Sequence, residues 1–407
     1  MTHPSDRSGP RTLDGLLARA AAGWGQRTAI VDGTRRLTYD ELHRRCRDAA
    51  GGLAALGVVK GDRVAIWMPN HTEWVIAFFG AIYAGAVVVP LNTALSVSEA
   101  HYQVAQSGAA VVIVSDVFRN RDYVADAVEL RNRVPHRLTI VVVGDPSADN
   151  TVSWDQVAAG AYGYERPVNA ADDAAVMLYT SGTTGLPKGA VHSHRFSETL
   201  VATADRLDLT ENDCVVLYLP LFHVYALVAG LLLMVSVGAK IALMERFRSA
   251  ESLALMRSEG ATMIYGVPTT YIDQLNDPAV GDMDFTEIRF AITPMAPDLC
   301  ERVRARFNTV CLNTFGMTET ASTVIMPHLL DSAEIATGTV GRPLDGISAR
   351  IVDETTGEPA PQGSRGVLLV RGPSVMIGYH DNPTETARVL DGDGWFRTGD
   401  LAEMDSD

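Results

Sequence analysis

Cysteine is scarce: four in 407 residues, at Cys46, Cys214, Cys300 and Cys311. No CxxC pair and no metal-ligand spacing joins them, which argues against a disulfide scaffold or a zinc ribbon and predicts free, buried thiols in a reducing compartment. Basic residues are also few. Thirty-four Lys and Arg stand against 49 Asp and Glu, a formal charge of -15, and a nucleic-acid partner would select a basic face instead. The opening "MTHPSDRSGPRT" has no apolar h-region, so no secretory signal is expected and a cytoplasmic location is the default. Long apolar runs are limited to two. Residues 75–89 are short, and 215–239 lack Asp, Glu, Lys and Arg but contain Pro220, His223 and two glycines. The second run is long enough to span a bilayer, yet it opens like a strand, so strand, loop and buried helix are the expected reading. No internal repeat or low-complexity tract is present.

What is there points to alternating strands and helices. Apolar residues make up 47% of the chain, and its length fits two or three packed units. Thr38 and Glu41 spell a capping box, followed by Leu42, Cys46, Ala49 and Leu53 at helical spacing, with Gly57 at the end. "RVAIWM" (63–68), "AVVVP" (86–90), "AAVVIV" (109–114), "LTIVVV" (138–143) and "AAVMLY" (174–179) read as buried strands, with an apolar helix over about 72–84. "CVVLYLP" (214–220), "KIALM" (240–244) and "TMIYGVP" (262–268) suggest a second sheet. Such alternation predicts an α/β fold of βαβ units with largely parallel sheets covered by helices. After about residue 335 short strands are broken by Gly and Pro, which predicts a small β unit resembling a barrel. The expected divisions are 1–210, 211–335 and 336–407.

"YTSGTTGLPKG" (179–189) carries the chemistry. Glycines after a buried strand let backbone amides turn inward; hydroxyls fringe the loop and Lys188 adds a mobile cation. A polyphosphate fits such a nest best. It is not a P-loop: GxxxxGK(S/T) would need Gly where Pro187 stands and Ser or Thr where Gly189 stands. Most Gly/Ser/Thr clusters are surface turns, but α/β folds place ligand sites at strand ends of this kind.

The string resembles the signature loop of the AMP-forming adenylating enzymes, which include acyl-CoA synthetases. "LTYDEL" (37–42), residues 61–92, "NTFGMTET" (313–320), "GTVGRPLDG" (338–346), "LVRGPSVMIGYH" (369–380) and "GWFRTGD" (394–400) follow in the family's order. The resemblance implies that ATP and a carboxylic acid form an acyl-adenylate, and that a thiol, often coenzyme A, displaces AMP. It implies that Thr180, Ser181, Gly182, Thr183, Thr184, Gly185 and Lys188 cradle the phosphates, and that Glu319, with Thr184, holds Mg²⁺. Thr318 would bond a phosphate oxygen. Thr293, Pro294, Asn313, Thr314, Phe315, Gly316 and Met317 would surround the nucleotide, and Asp400 would accept from the ribose hydroxyls. His223, Lys188, Thr318 and Glu319 are the implied catalytic set, with His223 orienting the substrate carboxylate.

Three departures accompany the match. The family continues into a hinge and a smaller C-terminal domain that brings a catalytic lysine, whereas this sequence ends seven residues after Asp400. Binding of ATP or adenylate with slow turnover is the expectation for the 407-residue chain. "IRFAITPMAPDL" (288–299) is about three residues shorter than the family's adenine loop by inspection and lacks its glycines, which predicts weaker adenine binding. Val367 stands where the family often has glutamate, with little effect expected. Phe222, Tyr225, Tyr265, Gly266, Val267, Phe315 and the segment "ASTVIMP" (321–327) form the expected acyl pocket. Their apolar character favours a fatty acid first and an aryl acid second, and fatty substrates would bring the protein to membrane surfaces. Loading of a carrier protein, or a non-catalytic binding shell, remain the alternatives.

Overall fold

A computed structural model of the chain describes residues 11–146, 148–160, 168–180, 185–281, 283–292 and 296–406. The alternating strands and helices form two large, mostly parallel sheets. The first runs Gly378–Tyr379, Lys188–Ser193, Ala174–Thr180, Val87–Pro90, Arg63–Trp67, Val111–Ser115, Thr139–Val143, Thr151–Ser153. Neighbours are parallel except on both sides of Lys188–Ser193. Successive side chains of a strand face opposite ways, and the core follows that rule. Val64 and Ile66 pack into one apolar cluster, Ala65 and Trp67 into another. Burial on both faces is why this strand reads as a continuous apolar run.

The second sheet runs Val310–Leu312, Phe290–Ile292, Met263–Tyr265, Cys214–Leu217, Lys240–Leu243, Thr28–Asp32, Arg35–Thr38. Its last two strands are an antiparallel hairpin, and the hairpin's first strand pairs in parallel with Lys240–Leu243. The sheets therefore do not divide at residue 210: the N-terminal hairpin completes the second sheet. Nor does the C-terminal unit stand apart from about residue 336, since its Gly378–Tyr379 forms an edge of the first sheet. Both joins depend on pairings across long stretches of chain, which local periodicity does not encode.

The helix Tyr39–Ala55 starts as its capping box requires. Glu41 N–H donates to Thr38 Oγ1 at 3.2 Å, and Thr38 N–H donates to Glu41 Oε2 at 2.9 Å. Residues 215–239 resolve into the end of strand Cys214–Leu217, a π-helix Tyr225–Leu232 and the helix Leu233–Val237. Among the described residues no helix is long and apolar enough to cross a membrane. All four cysteines are free and buried.

The C-terminal unit is not a barrel among the described residues. Its strand Arg342–Pro343 is the edge of a three-stranded sheet begun outside it by Phe315–Met317 and Ser322–Met326, and its other sheet is Ser348–Val352, Gly366–Arg371, Phe396–Ala402. In the latter, Gly366–Arg371 lies between two strands that do not pair with each other, and closure would need that pairing. Val367 is buried there with Val352 and Leu369.

Candidate active site

The hairpin Ala174–Thr180/Lys188–Ser193 brings Thr180 directly opposite Lys188. Gly185 takes a φ of +105°, which suits glycine. Ser181, Gly182, Thr183 and Thr184 lie outside the described residues, as do Thr293 and Pro294.

A cavity of about 490 Å³ opens beside Thr180. Its walls bring together His223, Tyr225, Val267, Thr314, Phe315, Gly316, Met317, Thr318 and Glu319, all singled out from the sequence. Val224, Ser322 and Thr323 complete it. The hairpin Phe315–Met317/Ser322–Met326 shapes one wall, and Thr318–Thr320 form a 3-10 turn at its tip. Gly316 is required by packing: a Cβ there would stand 2.0 Å from Ser322 O. After the turn Ala321 and Ser322 both adopt left-handed backbone, at φ +49° and +82°. For residues with a Cβ this is strained, and such strain collects at functional sites.

Three bonds tie the turn to distant parts of the chain. The Tyr379 hydroxyl donates to Glu319 Oε1 at 2.8 Å, and Met376 N–H donates to Glu319 O at 2.8 Å. His192 Nε2 donates to Thr318 O at 2.8 Å. Burial pushes the His192 imidazole down to about 4, so it stays neutral near pH 7. Glu319 is 7% exposed. Tyr379 engages Oε1, and among the described residues no hydrogen-bond donor reaches Oε2. That oxygen suits a hard cation shared with phosphate oxygens, the usual arrangement for Mg²⁺. Among the described residues no three His, Cys, Asp or Glu side chains gather into a protein-only metal cage.

His223 stands at the mouth of the cavity. Tyr225 N–H donates to its Nδ1 at 3.3 Å, so the neutral ring carries its proton on Nε2. Surrounding protein lowers its pKa from the ordinary histidine value, while the open cleft leaves the side chain accessible to water. The same segment enters the π-helix Tyr225–Leu232, a rare form that often marks functional sites. Tyr225 donates its hydroxyl to Ile292 O at 2.8 Å, and its ring lies 5.6 Å from that of Tyr265. Gly266 lets the Tyr271 ring approach: a Cβ there would be 2.5 Å from it. Tyr265 and Gly266 are buried and Phe222 is partly so, and none of the three lines the cavity.

Lys188 does not line the cavity but is joined to it. Its ammonium lies 5.0 Å over the Tyr379 ring, whose hydroxyl reaches Glu319. Asn313 lies just before the wall and donates its N–H to Ala336 O at 2.8 Å. Asp400 stands apart, exposed on Phe396–Ala402, its N–H donating to Thr398 Oγ1 at 3.1 Å. Two contributors are not named as site residues by the sequence reading: Tyr379, inside a quoted motif, and His192, which interrupts an apolar strand pattern.

Comparison with known proteins identifies the family. The profile described as AMP-binding enzyme matches residues 17–380. A methyl-dioxo-octahydroindenyl-propanoyl:CoA ligase of Rhodococcus jostii is 33% identical across 97% of this chain and 78% of its own length. The 4-coumarate–CoA ligase 5 of rice is 33% identical across 94% of the chain and 71% of its own. An inhibitor-bound N-terminal domain of FACL13 from Mycobacterium tuberculosis superimposes with a TM-score of 0.86 at 28% identity, covering 97% of both chains. The chain belongs to the AMP-binding enzyme family, and its relatives there are acyl-CoA ligases.

Proposed function

We propose that this chain activates a hydrophobic carboxylic acid with Mg-ATP, as the adenylating part of an acyl-CoA ligase. In the first half-reaction the acid's carboxylate oxygen attacks the α-phosphorus of ATP. The P–O bond to pyrophosphate breaks, and acyl-AMP forms. In the second, a thiol attacks the acyl carbon and AMP leaves. The supporting observation is the cavity itself. Thr180, Thr318, Glu319 and His223 share one space with Val224, Tyr225, Val267, Phe315 and Met317. A carboxylate with an apolar tail matches such a mixed lining.

Under this reading each residue has a defined task. The Nε2–H of neutral His223 donates to the substrate carboxylate, orienting it without adding a full charge. Thr318 and Lys188 provide donors to phosphate oxygens, where negative charge grows in the transition state. Glu319, with Thr184, would hold Mg²⁺, which would supply positive charge to offset that of the phosphates. Thr180 lies at the phosphate end of the cavity, and Ser181, Gly182, Thr183, Thr184 and Gly185 complete the cradle. Asp400 grips the ribose. Phe315 divides nucleotide from acyl group, with Tyr225 and Val267 along the tail.

A fatty acid is the first substrate class and an aryl acid the second, with CoA as acceptor. Calorimetry with Mg-ATP, followed by acid-dependent pyrophosphate exchange, tests the assignment. Titration with saturated fatty acids and with cinnamate ranks the classes. Absence of any Mg-dependent ATP binding would favour the non-catalytic shell. A CoA-versus-carrier comparison in a longer chain separates the acceptors.

A further inference from the structure

Lys188 already has a partner. Its Nζ stands 2.5 Å from Glu385 Oε2, and the two side chains are only 12% and 19% exposed. The other carboxylate oxygen, Oε1, accepts from Arg388 Nη1 at 2.7 Å. Glu385 sits on the short helix Pro383–Val389, capped by Asn382, whose Oδ1 accepts the Glu385 N–H at 3.2 Å. Thr386 Oγ1 on that helix accepts the Tyr379 N–H at 2.9 Å. Tyr379 in turn carries the Lys188 ammonium over its ring and Glu319 on its hydroxyl.

A shielded ammonium without a counter-charge is costly. In this arrangement Glu385 meets that need, at the foot of the very loop that the proposed function assigns to phosphate. Lysine is a compact charge on a flexible stem, so it can exchange one oxygen for another with little backbone movement. Glu385 can release it because Arg388 remains on Oε1. Neither partner of the broken pair is then left without an opposite charge: the phosphate takes the ammonium and the arginine keeps the carboxylate.

We infer that Glu385 is a resident counter-ion of Lys188, an internal stand-in for a phosphate oxygen, and that a nucleotide must displace it to engage the lysine. This rests on the proposed role of Lys188. It makes Glu385 a positioning residue that tunes nucleotide affinity without touching the nucleotide.

Calorimetric titration with Mg-ATP of the wild type, Glu385→Gln, Lys188→Met and the double variant tests the exchange. Removing the competing charge tightens Mg-ATP binding by about three- to tenfold. In the Lys188→Met background the same change has no effect. A purely structural role for Glu385 would weaken binding or leave it unchanged. Glu385→Asp, which draws the carboxylate back by one methylene, should shift affinity in the same direction by less and serves if the glutamine variant does not fold. Wild-type binding that Glu385→Gln leaves unchanged or weakens overturns the exchange alone. No wild-type binding of Mg-ATP overturns the nucleotide reading, and the exchange with it.

Discussion

Glu319 and Asp400 are the two carboxylates assigned to one nucleotide, and they are held in opposite ways. Glu319 is buried on a strained turn, with Tyr379 on its side chain and Met376 on its carbonyl, while His192 braces the neighbouring Thr318. Asp400 is exposed where the pairing of Gly366–Arg371 with Phe396–Ala402 loses its regular register. Such irregularities re-aim side chains. Among the described residues only the Asp400 backbone is tethered, through Thr398. The difference teaches that the carboxylate proposed for the phosphate end is braced by the protein itself, whereas the one proposed for the sugar is held through its backbone. Preorganised groups contribute most where charge develops in the transition state.

The comparison is easiest to break at Glu319. Glu319→Gln should lower the acid-dependent pyrophosphate exchange rate by about a hundredfold or more, the scale of losing one transition-state electrostatic contact. A loss no greater than that of Asp400→Asn would remove the distinction. Tyr379→Phe keeps the ring beneath Lys188 but frees Glu319, and should weaken Mg-ATP binding by about tenfold, as expected for one hydrogen bond to a charged group. Asp400→Asn should raise the KM for ATP by about fivefold, since an exposed polar contact contributes less than a buried one. Its melting temperature should match the wild type.

Acid offers a reversible test of the braced end. His192 has an ordinary value of 6.5 and sits at about 4 in the folded chain, so folding favours its neutral form. Its contribution to stability is intact above pH about 6.5, declines as pH falls and is gone below about 4. The slope in that window should approach 1.4 kcal/mol per pH unit for this one proton, by the ~1.36 kcal/mol per unit rule. Melting curves from pH 7 downward should show a shallower loss for His192→Asn than for the wild type. The smallest effect concerns strain: Ser322→Gly relieves the left-handed backbone and should stabilise the fold by about 1 kcal/mol. Unchanged or lower stability by denaturant titration would mean that no strain is stored there.

Much of this was legible in the sequence because it is local. The Thr38–Glu41 capping box formed as spelled, and the apolar runs at 63–68 and 138–143 became buried parallel strands. The cavity wall also followed from a contiguous string, residues 314–319. What escaped was long-range. No period in the chain announces that the hairpin Thr28–Thr38 pairs with Lys240–Leu243, or that Tyr379 reaches back to Glu319. The barrel-like expectation failed for a related reason: strand runs are visible locally, but whether the outer two meet is a matter of tertiary geometry.

That early hairpin has a consequence for biosynthesis. It leaves the ribosome well before the strand it must lean on, and as an isolated two-stranded ribbon it is marginal in water. During translation it presents a bare edge in the meantime, a template for mispairing with other nascent chains. Its partner-facing strand, "TAIVD", would be the segment for a chaperone to shield until the middle of the polypeptide emerges.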